Sequence, residues 1–124
     1  MNISRLRQLS AHLRKPEVAD HFALSHYFFT TSDSDEPIGE LIHDCGTVAC
    51  IAGHAAVLAN PRESFYDIGI YSEARDWLGL NNFQAFDLFE PGEVDDYGAV
   101  TPQMAADVID NLIDTGEVQW SKFI

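Results

Sequence analysis

Positive charge is scarce in this chain. Seven Lys and Arg stand against twenty Asp and Glu, for a formal net charge of −13 at pH 7. Phosphate neutralisation needs clustered Lys and Arg, so direct binding to nucleic acid is not expected. Four of the seven basic residues, Arg5, Arg7, Arg14 and Lys15, fall in the first fifteen positions. From Asp76 to Glu117 there are ten acids and no Lys or Arg. Cysteine is scarce as well. Cys45 and Cys50 alone make no disulfide framework, and a reducing, cytoplasmic setting is the expectation. Long apolar runs are missing. The longest, ending at Ala59, is too short and too rich in alanine and glycine to cross a bilayer, so no membrane role is expected. Met1 to Lys15 is amphipathic and basic, without the apolar centre of a signal peptide. Internal repeats, low-complexity tracts and linkers are absent too. Residues 1–124 therefore read as a single domain with one modest core.

What is present centres on His43 to Ala56, which holds both cysteines and two of the five histidines. Gly46 allows a sharp entry, and Thr47 is placed to cap a helix. Val48, Ala49, Ile51, Ala52, Ala55, Ala56, Leu58 and Ala59 leave it almost no polar face, the pattern of a buried helix. The small residues Ala49, Ala52, Gly53 and Ala56 let neighbours approach closely. Asn60-Pro61 ends it.

Other elements gather around that helix. Ile3, Leu6, Leu9 and Leu13 give an amphipathic helix over 3–14, and Pro16 either stops it or opens a short second helix, Glu17 to His21. Phe22, Leu24, Tyr27, Phe28 and Phe29 read as a short strand or single turn pinned into the core. Thr30 to Glu40, with Asp33, Asp35, Glu36 and Glu40, reads as a solvated loop. Neither it nor Glu93 to Gly98 fits a calcium loop. Phe65, Tyr66, Ile68 and Ile70 are expected to cover one core edge. Ser72 is placed to cap a helix to Leu78, with Trp77 inward and Gly79 as a left-handed stop. Asn81 or Asn82 caps the next, where Phe83, Phe86 and either Ala85 or Phe89 can share a face. Thr101 and Pro102 open the last helix. Its apolar stripe is Met104, Ala105, Val108, Ile109, Leu112 and Ile113, and its acidic stripe is Asp107, Asp110 and Asp114. Gly116 closes it, and Val118 and Trp120 run back extended towards the core. The fold class expected is mostly α. It is one compact domain of about five helices around a central buried helix, with room for a short two-stranded element.

Three segments carry a resemblance. They are Cys45-Gly46-Thr47-Val48-Ala49-Cys50-Ile51-Ala52-Gly53; Trp77-Leu78-Gly79-Leu80 with Gln84-Ala85 and Leu88-Phe89-Glu90-Pro91; and Thr101 to Ala106 ending in Thr115-Gly116-Glu117-Val118-Gln119-Trp120. In this order they resemble a family of small uncharacterised proteins encoded by tailed phages, prophages and bacteria. The resemblance implies a context, that of a phage-type accessory protein, and no mechanism. The position of His54 is commonly Trp in that family, which implies a packing position.

Four candidate sites compete. His43, Cys45, Cys50 and His54 carry zinc-ligand chemistry in the pattern His-x-Cys-x4-Cys-x3-His, but the spacing matches no common zinc module. Buried thiols and ordinary histidine hydrogen bonds account for the same residues, and no metal or other cofactor is expected. Asp44-Cys45 looks like the start of the catalytic helix in NlpC-type peptidases, with His21, His26 or His43 as the available bases. A reversible Cys45–Cys50 disulfide is the third, set against two free thiols. The fourth is acidic: Asp107, Asp110 and Asp114 with Glu90, Glu93, Asp95 and Asp96, set against a merely solvated face. The reading adopted is a non-enzymatic accessory protein that binds a basic protein partner through these acids and imitates nucleic-acid charge. A thiol or zinc site at Cys45 and Cys50 is the alternative.

Overall fold

Leu6, Leu9 and Leu13 are fully buried along one face of the first helix, α1 (Ile3–Leu13). Asn2 caps it, accepting the Arg5 N–H at 3.1 Å. Ile3, at the head of the expected stripe, stays exposed. The computed structural model describes residues 1–31, 35–64 and 67–124. A 3₁₀ turn at Pro16–His21 precedes α2 (Ile38–Leu41), α3 (Ile51–Ala59), α4 (Ile70–Leu78), α5 (Asn82–Phe89) and α6 (Pro102–Thr115). Two more 3₁₀ turns, Tyr97–Ala99 and Trp120–Lys122, flank α6. Among the described residues five helices have eight residues or more, and α2 is a single turn. The protein is mostly α and forms one compact domain, as the periodicity predicts. None of the described helices is long and apolar enough to cross a membrane.

The buried centre is α3. Every residue from Ile51 to Val57 is buried. The helix packs against α4, and also meets α1, α2 and α5. It joins the main core to a smaller cluster of Phe28, Ile38, Leu41, Ile42, Ala49, Ala56 and Val57.

The start of α3 differs from the sequence reading. The helix begins at Ile51 with Cys50 in the cap position, and no side chain caps it. Thr47 lies upstream, where its hydroxyl bonds that of Thr30 at 2.7 Å. A competing backbone partner explains the shift. Val48 and Phe29 exchange N–H to carbonyl bonds at 2.9 and 2.8 Å. The Ala49 N–H donates to His21 at 3.0 Å and the Cys50 N–H to His26 at 2.7 Å. The aromatic segment thus occupies donors that a longer helix would have left open at its first turn. The short two-stranded element is reduced to isolated bridges, Phe29 with Val48 and Phe22 with Ala49.

Other expectations fare unevenly. Asp33, Phe65 and Tyr66 lie outside the described residues. The loop expected over Thr30 to Glu40 gives way to α2 at Ile38, because Ile38 and Leu41 are fully buried. α4 starts at Ile70 with Gly69 in the cap position, so Ser72 is internal rather than a cap. Asn81 caps α5 in a reciprocal box with Gln84. Phe83 and Phe86, however, are 83% and 52% exposed, while Ala85, Leu88 and Phe89 point inward. Thr101 and Pro102 open α6 and Gly116 closes it. Trp120 is buried as expected, but in a 3₁₀ turn rather than an extended run.

Candidate functional site

α1 and α6 pack side by side, and this divides the acidic residues into two groups. Arg14, at the end of α1, donates to Asp107 at 2.7 Å and to Asp110 at 2.8 Å. The nearly buried Ser10 hydroxyl also donates to Asp110, at 2.7 Å. Two of the three aspartates expected to form an acidic row are therefore paired with α1 at the surface. Their side chains stay about half accessible, 47% and 48%, but Arg14 answers their charge, so the α6 row is not an unbroken ladder of unpaired charge. Asp114, one turn further along, is exposed. Both carboxylates hold the Arg14 guanidinium above its ordinary pKa through these hydrogen bonds.

The second group surrounds the loop between α5 and α6. Glu90, Glu93, Asp95 and Asp96 are exposed there. Asp96 caps its own turn, accepting from the Gly98 N–H at 3.0 Å. Glu93 accepts from the Ser121 N–H at 3.0 Å. The Tyr97 hydroxyl donates to the Pro91 carbonyl at 2.9 Å and fastens the loop on itself. Glu93, Asp95 and Asp96 rim a cavity of about 260 Å³ whose apolar side is Val94, Val100, Met104 and Ile124. Glu93 also borders a wider groove of about 490 Å³, beside Phe83, Asp87 and Glu117. Neither space is lined by Lys or Arg. Burial and a hydrogen bond to Glu90 push the Tyr27 hydroxyl upward. The sequence reading gives none of Asp87, Glu117 and Phe83 a site role, and Phe83 only a helix face shared with Phe86. The spacing of Phe83 and Asp87, four apart on one helix, was the available sign.

The two cysteines do not join the histidines in one site. Cys45 is exposed in the turn well before α3 and Cys50 is buried at its start; both are free thiols. Cys45 therefore lacks the helix N-terminus that would favour a thiolate. Burial pushes the Cys50 thiol up to about 11. His43, the candidate base, is exposed. The ring hydrogen bonds of the other histidines go to Ser25, to the backbone of His21 and Thr47, and to one another. Among the described residues, no three of His, Cys, Asp and Glu are arranged to hold a metal ion.

His54 explains part of this. Its Nε2–H donates to the His21 carbonyl at 2.8 Å, so its Nδ1 accepts from His12 Nε2 at 3.0 Å. Both nitrogens are engaged, which leaves no lone pair for a metal. Burial holds its pKa down to about 4. The Phe22 ring stacks on it. His12, His21, His43 and His54 line a small space of about 90 Å³ with Lys15 and Glu17. The sequence separates these histidines too widely for their meeting to be foreseen.

The chain matches no family model, no curated protein and no solved structure.

Proposed function

We propose that this is a small acidic accessory protein, of the phage or prophage type its motifs resemble, that acts by binding a basic protein. The binding face is the α5–α6 loop with its two adjoining spaces. One observation carries the reading, the division of the carboxylates. Asp107 and Asp110 are matched by Arg14, whereas Glu90, Glu93, Asp95, Asp96 and Asp114 form no ion pair with Lys or Arg among the described residues. A face of one charge sign attracts a partner of the other and makes association fast and salt-sensitive. Carboxylates standing where phosphates would lie make a nucleic-acid-binding protein the fitting partner class. The loop acids carry this imitation, and of the α6 row only Asp114 is likewise without a Lys or Arg partner among the described residues.

Immobilised protein should capture basic proteins from a bacterial lysate, and salt or added DNA should displace them. Changing Glu93, Asp95 and Asp114 together to Lys should abolish capture while the far-UV circular dichroism stays unchanged. Cys45→Ala should leave capture intact. Capture that survives the three reversals but is lost in Cys45→Ala would refute the acidic-face reading.

A further inference from the structure

We infer that the groove beside Phe83 receives an arginine side chain from a basic segment of the partner. The inference rests on the acidic-face reading and adds which cation the face is built for. The first observation is the exposure of Phe83 and Phe86, 83% and 52%, on a helix whose inner face is complete without them. A pair of exposed rings one turn apart is the kind of apolar surface that marks an interaction site.

The second observation is what surrounds Phe83. Asp87 lies four residues on and shares its side of α5. The groove they border, about 490 Å³, is also lined by Glu93, Glu117 and Gln119. Two of the three carboxylates are already held. Gln119 Nε2 donates to Glu117 at 3.1 Å, and the Ser121 N–H donates to Glu93 at 3.0 Å. The Phe83 ring and fixed carboxylates side by side suit a planar guanidinium. It stacks on the ring face while its edge donates to the acids, which an ammonium does less well. The fold already sets arginines on rings, once with a carboxylate beside them. Arg75 lies 6.0 Å from the Tyr71 ring centroid and donates to Asp76 at 3.0 Å, and Arg5 lies 5.4 Å from that of Trp77. Charge complementarity thus selects a basic occupant, and the exposed ring selects arginine within that class.

Fluorescence anisotropy with a labelled oligo-arginine and an oligo-lysine of equal length tests this. The native protein should bind the arginine peptide more tightly, by roughly fivefold or more. Phe83→Ala should erase that preference and leave weak, charge-driven binding of both peptides. Phe83→Tyr should keep it, and Asp87→Asn should weaken the arginine peptide selectively. Asp20→Asn, exposed on the Pro16–His21 turn and outside the proposed face, should leave the preference unchanged. Because Phe83 is so exposed, the alanine variant should keep its circular dichroism and melting temperature. Equal binding of the two peptides, or a preference indifferent to Phe83→Ala, would overturn the inference and leave the wider acidic-face reading standing. Binding of neither peptide would overturn it too, and lysate capture would then judge the wider reading separately. A concentration-dependent dimer lost in Phe83→Ala would assign the ring to a second copy of this chain and overturn it as well.

Discussion

His54 is a buried imidazole kept neutral by its surroundings. Its folded pKa is about 4 against an ordinary 6.5, chiefly because burial disfavours the cation. The His12 pKa is lowered too, by burial first and then by Lys15. The unfolded chain therefore binds more protons than the folded one between these values. Stability from His54 is fully present above pH 6.5 and is lost as pH falls towards 4. The loss is on the order of 3 kcal/mol for a shift of this size. Urea titrations across that range should show the fall. A His54→Gln variant, which keeps one donor for His21 and one acceptor for His12, should flatten it. Cysteine labelling reads burial at the same scale. A thiol reagent should modify Cys45 in the folded protein and Cys50 only after unfolding, because Cys50 is 1% exposed. Rapid labelling of both thiols in the folded state would show that the start of α3 opens readily.

Packing between elements sets the cost of substitutions that look alike in sequence. On α3, a Cβ at Gly53 would run into the Tyr27 carbonyl oxygen and lie 2.6 Å from the Ala49 Cβ. The aromatic segment presses its backbone on α3 there, so even Gly53→Ala should cost roughly 1–3 kcal/mol by overpacking. Gly53→Leu should cost more. An unchanged melting temperature in either variant would contradict the close approach. On α6, Asp110 and Asp114 are both exposed-looking aspartates of one expected stripe. Asp110 accepts from Ser10 and Arg14, whereas Asp114 makes no such contact with α1. Asp110→Ala should cost about 1–2 kcal/mol, mainly through the Ser10 bond to a charged acceptor. Asp114→Lys should change stability by less than about 0.5 kcal/mol. Chemical denaturation of the two variants separates them, and equal effects would dissolve the distinction between structural and free acids.

Charge acts on the molecule as a whole. A net charge of −13 on 124 residues repels itself in the compact state. The ion pairs that salt would weaken are few and largely exposed, with Arg14, Asp107 and Asp110 side chains 41%, 47% and 48% accessible, and such pairs contribute little. Raising ionic strength from about 0.01 to 0.15 M shortens the screening length from about 30 to 8 Å. The melting temperature should therefore rise with salt. Partner capture should fall over the same range, since the same charges drive it. A protein whose stability and capture both fell with salt would have its charge balance dominated by internal pairs instead. Neutralising Glu93 and Asp95 should raise stability and weaken capture together, the opposition expected where charge is retained for binding.

Local signals determined much of this protein. Asn81, one of two asparagines that read as a cap, Thr101 with Pro102, and the left-handed glycines Gly79 and Gly116 act within a few residues of themselves, and each stands at the helix end expected of it. The apolar stripes of α1 and α6 and the almost wholly apolar α3 likewise carried the class of fold, because burial follows periodicity. Only the tertiary structure decided the rest. Thr47 looked like a cap, but the backbone at 48–50 found partners at 21–29, and a nearby sequence cannot announce a distant donor or acceptor. Phe83 and Phe86 read from the sequence only as residues that can share a face with either Ala85 or Phe89, and hydrophobicity alone does not say which face is buried. An eight-residue helix with five apolar positions offers two faces, and packing of Ala85, Leu88 and Phe89 into the core, with Trp120 donating to the Asp87 carbonyl at 3.0 Å, turned those two rings outward. Asp107 and Asp110 were readable as acids on a helix face. That their charge would be answered by Arg14, 93 and 96 positions away, depended on α1 lying against α6, a contact that exists only once the chain has folded.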